Sequence, residues 1–217
     1  MGIGGRPFGL EHSVRLTADH VTIERGGRLV IDDLAFSAAA GTALVITGPN
    51  GAGKSTLLRA IAGLVQVSAG RIRLDGGDPE RTLPEQCHYF GHLDGLKTAL
   101  TVSENVAFWR DYYGAPVIGN SADALAAVGL DDLGRLPAAY LSAGQRRRLS
   151  FARLIVAHRP IWLLDEPTSA LDAASEARFV DLANRHLATG GLVVAATHAP
   201  LGLTATTTLR LGQKALT

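Results

Sequence analysis

Apolar and polar positions along this chain alternate between two periods. Three short runs carry almost no polar interruption: Ala43-Leu44-Val45-Ile46, Ile161-Trp162-Leu163-Leu164 and Leu192-Val193-Val194-Ala195-Ala196. Such runs read as strands buried on both faces. Val14 to Ile23 and Arg71 to Leu74 read as further strands near the start. Between the strands the spacing lengthens to that of amphipathic helices over Lys54–Ala62, Ser142–Ala157 and Asp172–Ala188. Strands alternating with helices imply an α/β fold with a largely parallel sheet. The middle departs from this rhythm. Val102–Tyr113 and Ser121–Val128 read as helices with no strand between them. A mainly helical insert of roughly 50 residues therefore interrupts the core. Gly114, Pro116, Gly119, Gly129, Gly134 and Pro137 punctuate it.

Composition narrows the picture modestly. At 217 residues the chain can bury one sizeable core, with room for a subdomain. Its net charge of +1 gives no electrostatic footprint for nucleic acid. Cys87 is the single cysteine, so no intramolecular disulfide can form, which suits a reducing compartment. No apolar run approaches the ~20 residues of a membrane-spanning helix. Met1 to Glu11 is glycine-rich without an apolar signal core and reads as a flexible extension. Residues 1–13 are assigned to that extension and 14–217 to the folded domain. Any membrane association must then come through a partner.

Chemistry enters with Gly48-Pro49-Asn50-Gly51-Ala52-Gly53-Lys54-Ser55, which fits the phosphate-loop pattern G-x-x-x-x-G-K-[ST]. A strand precedes it and a helix from Lys54 through Thr56 and onward follows it, the context the motif requires. Glycines let successive N–H groups converge on phosphate oxygens, and the helix N-terminus adds partial positive charge. Lys54 is placed to reach the β- and γ-phosphates and the Ser55 hydroxyl to ligate Mg²⁺. The strand Ile161–Leu164 ends in Asp165-Glu166. Solvated acids can cap a strand, but beside a phosphate loop they read as a metal ligand, Asp165, and a group that orients or deprotonates water, Glu166.

Leu141-Ser142-Ala143-Gly144-Gln145 opens another helix, with Ser142 as N-cap and Gly144 leaving backbone N–H groups accessible. By spacing alone this is either an anion site or an ordinary capped helix. His198 follows the strand Leu192–Ala196 and, taken alone, reads as a surface or capping residue.

Together these pieces resemble the ATP-binding subunit of ABC transporters. The phosphate loop, Leu141–Gln145, Asp165-Glu166, Ser169-Ala170-Leu171-Asp172 and His198 occur in the family's order, from about Leu16 onward. The resemblance implies a P-loop cassette: a mainly parallel core, an antiparallel β-subdomain and a helical subdomain near residues 93–150. It implies ATP and Mg²⁺, with the nucleotide contacted by Gly48 through Thr56. It also implies a head-to-tail homodimer in which each ATP lies between one protomer's phosphate loop and the other's Ser142, Ala143, Gly144 and Gln145. Glu166 is then the catalytic base, His198 contacts the γ-phosphate and the water, and Asp172 communicates across the dimer.

Two positions depart from the family pattern. His92, in Tyr89-Phe90-Gly91-His92, stands where a glutamine usually contacts metal and water; it serves there or faces a partner from its loop. Where the family usually offers an adenine-stacking aromatic near the first strand, Ile23-Glu24-Arg25-Gly26 offers Arg25, whose guanidinium plane stacks on the base or is an ordinary surface group.

The stretch Gly91–Asn105 is similar to that of the cytochrome c maturation, or haem exporter, ATPases, through His92, Gly95, Lys97 and Leu100-Thr101-x-x-Glu104-Asn105. This implies a peripheral protein on the cytoplasmic face of a bacterial inner membrane. Integral subunits of a cytochrome c maturation complex are its implied partners, docking short helices between the core and the helical insert. Direct haem binding is not expected: no C-x-x-C-H motif occurs, and His12, His20, His88, His158 and His186 read as structural or solvated. Arg146-Arg147-Arg148 faces the dimer and nucleotide or forms a solvated basic face. An exporter ATPase for another small molecule or lipid, and a soluble ABC-type ATPase, are the competing readings.

Overall fold

The computed structural model describes residues 13–114, 120–169 and 171–212. Met1 to Glu11, Pro116, Gly119 and Ala170 lie outside the described residues. Numbered in chain order, five strands form the central sheet in the order β5(Cys87–Phe90), β6(Ile161–Asp165), β7(Leu192–Ala196), β3(Ala43–Thr47), β8(Thr206–Arg210). Every pairing in it is parallel.

Side chains of the three inner strands divide between two cores with the strand period of two. Trp162, Leu164, Val193 and Ala195 enter the core on one face, with α2(Val102–Tyr113), α3(Ser121–Ala127), α4(Ala143–Val156) and α5(Ala173–Ala188). Ile161, Leu163, Leu192, Val194, Leu44 and Ile46 enter the other, with α1(Lys54–Ile61). Both faces being covered, these segments have no polar alternation to show. Completing the second core is an antiparallel sheet of order β2(Arg28–Ala39), β1(Arg15–Arg25), β4(Ala69–Asp75).

The expected helices all form, and those with side-chain caps begin where the sequence supplies them. Thr101 and Glu104 make a capping box at the start of α2, and Ser142 and Gln145 make one at α4. Asp172 caps α5 by accepting from the Ser175 N–H at 2.7 Å. Between β5 and β6 lie α2, α3, short helical turns and α4, with one isolated bridge, Thr101 to Pro137, among the described residues. Three strands were not foreseen from periodicity: β2, β8 and the four-residue β5. β2 carries exposed Asp32 and Asp33, and β8 is a threonine-rich edge. No helix among the described residues is long and apolar enough to cross a membrane.

Candidate functional site

Four strand ends meet at the carboxyl edge of the central sheet, where open α/β sheets bind ligands. The chain leaves β3 into the glycine loop, β6 into Glu166, β7 into Thr197-His198 and β5 into Gly91-His92. One open cleft results, lined by Asn50, Gly51, Gly53, Lys54, Ser55, Thr56, His92, Asp165, Glu166 and His198. Gly48, Pro49 and Ala52 complete the same loop without lining the cleft.

The glycine loop depends on its glycines at two points. At Gly48, φ is +143°, and a Cβ would meet the Leu211 carbonyl oxygen at 2.5 Å. At Gly53, φ is +97°, and a Cβ would press Val30 and Ile31 of β2 at 3.1 Å. Gly53 is also the N-cap of α1, whose start has no side-chain cap and no acid in its first turn. The helix therefore opens with its first N–H groups free of competing side-chain acceptors, a ready anion site. Buried Lys54 spans the loop, donating from Nζ to the Gly48 oxygen at 2.8 Å and the Pro49 oxygen at 3.1 Å.

Opposite the loop, Asp165 is 1% exposed. Its Oδ1 accepts from the Ser55 hydroxyl at 2.8 Å, and its Oδ2 lies 3.4 Å from the Tyr89 hydroxyl. Arg59 Nε in turn donates to the Tyr89 oxygen at 3.2 Å. The bond to Tyr89 raises the Arg59 pKa, and burial raises that of Tyr89. Sequence reasoning missed Tyr89 and Arg59: the register of β5 beside β6, Tyr89 opposite Leu163, brings Tyr89 to Asp165, and α1 brings Arg59 to the Tyr89 hydroxyl.

Glu166 adopts φ +48°, a left-handed backbone uncommon outside glycine. Its Oε1 lies 3.7 Å from His198 Nε2. The cleft thus gathers a cation, an uncapped helix start, a hydroxyl paired with a carboxylate, and a second carboxylate beside an imidazole. That set can bind a polyphosphate with a hard cation and activate water against it.

Two expected groups lie elsewhere. Arg25 is exposed at the end of β1 and does not line the cleft. Ser142, Ala143, Gly144 and Gln145 do not line it either; they open α4, with Ser142 accepting from the Gln145 N–H at 3.2 Å and open space around Gly144. The basic run is not a solvated face. Arg146 donates to the Leu141 carbonyl, Arg148 to those of Val128 and Gly129, and Arg147 is buried. The carbonyls of neighbouring helix ends and loops draw these guanidinium groups inward.

Comparison with known proteins places this geometry. Residues 31–169 match the family model described as ABC transporter. The chain is 59% identical over 199 residues to the cytochrome c biogenesis ATP-binding export protein CcmA of Nitrobacter winogradskyi, covering 92% of this chain and 98% of that protein. It is 55% identical over 190 residues to the protein of the same name from Bradyrhizobium diazoefficiens, covering 88% and 94%. Among solved structures, a putative ABC transporter ATP-binding protein from Pyrococcus furiosus superposes with TM-score 0.78 at 23% identity, covering 91% of this chain and 97% of that one. A bacterial Atm1-family ABC exporter with ATP bound gives TM-score 0.76 at 25% identity, covering 98% of this chain and 40% of that one.

Proposed function

This chain belongs to the ABC transporter family, and we propose that it is the ATP-hydrolysing subunit of a membrane complex serving cytochrome c biogenesis. One observation carries the reading: Lys54, Ser55, Asp165, Glu166, His198 and His92 line a single cleft, and Ser142–Gln145 does not. A protomer therefore holds the phosphate-binding and water-activating groups but lacks an opposing wall. A second copy, presenting its own Ser142–Gln145 over the bound triphosphate, would supply it.

Ser55 and Asp165 suit Mg²⁺. Their facing oxygens are hard donors, and Mg²⁺ commonly takes one or two carboxylates plus substrate phosphates. Among the described residues no cluster of three or more His, Cys, Asp or Glu is placed to hold a metal by itself. A metal arriving with nucleotide therefore fits the donor set, and when bound it supplies charge neutralisation at the β- and γ-phosphates.

Lys54 exchanges its two loop carbonyls for phosphate oxygens. Glu166 accepts a proton from water, or orients it, as the water oxygen bonds to the γ-phosphorus. The bond from that phosphorus to the bridging oxygen breaks, giving ADP and phosphate. His198, 3.7 Å from Glu166, steadies the water and the γ-phosphate.

Association with integral subunits at the cytoplasmic face of a bacterial inner membrane follows from the same reading. On α2, Tyr112, 72% exposed, and Phe108 supply apolar surface. Phe108 and Tyr112 stack at 5.9 Å on α2, a surface suited to short amphipathic helices of a membrane partner. In a clean deletion strain, covalent haem attachment to c-type cytochromes should be lost. The protein should sediment with membranes and be released by alkaline wash. Normal cytochrome c in the deletion strain would exclude the assignment.

A further inference from the structure

Arg147 is 6% exposed, and no expected role accounts for it. Its Nη2 donates to the Glu166 carbonyl at 2.9 Å, and its Nη1 to the Gly91 carbonyl at 2.8 Å. Nε reaches the Pro167 carbonyl at 3.4 Å, and Nη1 lies 3.5 Å from Asp94 Oδ1. The Phe90 ring centroid sits 4.0 Å from Cζ. Burial lowers the Arg147 pKa and Asp94 offsets part of that, but a guanidinium stays charged in proteins. Burying a cation is costly unless it is paired and hydrogen-bonded, and Asp94 gives Arg147 only one long ion pair. The cation is satisfied mainly by backbone carbonyls of two loops, one leading into His92 and the other carrying Glu166.

The second observation is the backbone of Glu166 itself. Its left-handed φ of +48° persists only if the surroundings over-determine it. The Glu166 N–H donates to the Ala196 carbonyl at 2.9 Å. The Glu166 carbonyl accepts from the Ser169 hydroxyl at 2.9 Å and from Arg147. Arg147 is the one of these three anchors that also grips the His92 loop. It also lies on α4, five residues beyond Ser142.

The geometry points to Arg147 as a positioning residue for hydrolysis. Its planar fork ties the Glu166 and Gly91 carbonyls, and with them the carboxylate and the imidazole, to the helix that opens on Ser142–Gln145. This rests on the proposed role of Glu166. Without the fork, Glu166 relaxes toward an ordinary backbone and its carboxylate leaves the side of His198. None of Arg147's hydrogen bonds goes to the phosphate loop, so nucleotide binding and turnover separate.

The test uses the full chain with Arg147→Gln and Arg147→Lys. Steady-state kcat and KM for ATP, equilibrium binding of a fluorescent ATP analogue, and amide hydrogen exchange are measured on each. For Arg147→Gln, kcat should fall roughly 10²-fold, the cost of a displacement of about 1 Å at a reacting group, with analogue affinity unchanged. Exchange at the Glu166 and Ser169 amides should rise while α4 stays protected. Arg147→Lys keeps the charge but cannot fork, and should recover only part of kcat. If Arg147→Gln fails to fold, the kcat and exchange changes in Arg147→Lys decide the matter.

Unchanged kcat and unchanged exchange would overturn the proposal. So would equal losses of affinity and kcat with exchange rising along α4, the mark of a merely structural residue. Glu166→Gln, run alongside, separates the two ideas. Parental turnover in that variant removes Glu166 as base, while the exchange result still reports whether Arg147 holds the loop.

Discussion

Ser55 and Asp165, 110 residues apart in sequence, meet through a 2.8 Å hydrogen bond from hydroxyl to carboxylate. The other carboxylate oxygen lies 3.4 Å from the Tyr89 hydroxyl, which itself accepts from Arg59. Asp165 is therefore oriented from both sides before any cation arrives. Groups that orient a metal ligand typically affect affinity or activity by 10–100-fold when removed. Tyr89→Phe deletes the hydroxyl and keeps the ring. It should raise the Mg²⁺ concentration for half-maximal ATPase about tenfold, the low end of that range, because the contact is long. Superimposable Mg²⁺ titrations for parent and variant would show that Tyr89 does not steer Asp165.

Glu166→Gln tests the water-activating role. The amide preserves size and hydrogen-bonding reach but cannot take a proton. Turnover should drop by about 10²–10⁴, the usual contribution of a positioned base. ATP binding should remain, and ATP should then drive a stable dimer, seen as a shift in size-exclusion elution absent with ADP. A variant that hydrolyses ATP at the parental rate would rule Glu166 out as the base.

Much of this site was legible in the sequence because its signals are local. The glycine loop encodes its own turns, as Gly48 and Gly53 show. Asp165-Glu166 ends a run buried on both faces, which periodicity reveals directly. The antiparallel β2 was less legible because Asp32 and Asp33 break its alternation. Tyr89 and Arg147 were illegible for a different reason. Tyr89 matters through strand register, and Arg147 through the placing of two loops against one helix. A basic triplet reads as a surface until the carbonyls that fold back over it are known.

His92 lines the cleft on the loop after β5, where the family resemblance places a glutamine. An imidazole changes charge within the physiological range, and an amide does not. His92→Gln should therefore keep ATPase activity and flatten any change in kcat between pH 6 and 8. Loss of activity with an unaltered pH profile would remove His92 from the neighbourhood of the reacting water. The profile, rather than the rate at a single pH, is the informative measurement.

Three histidines, His88, His158 and His186, have pKa values lowered by burial and set how folding responds to acid. Burial lowers the His88 pKa to about 3 and that of His186 to about 4. His88 is 1% exposed, with Nε2 2.7 Å from the Ala157 carbonyl oxygen, and His186 stacks on Trp162 at 4.0 Å. In the unfolded chain all three regain an ordinary value near 6.5. As pH falls below about 6.5 the unfolded state takes up protons that the folded state refuses, so stability declines. It is fully present above that pH and continues to fall until the folded values are reached. At pH 5 the loss is about 2 kcal/mol for each of His88 and His186, from 1.36 kcal/mol per unit. Glu85, Glu104 and Asp172 have lowered values through hydrogen bonds to Thr82, Thr101 and Ser175, so they act in the same direction only at lower pH. Urea unfolding at pH 7.5 and pH 5.0 therefore isolates the histidines. His186→Phe keeps an aromatic ring for Trp162 and removes one of these titrating groups, so the difference between the two pH values should shrink by about 2 kcal/mol. Equal parental stability at both pH values would show that these imidazoles are not held neutral by burial.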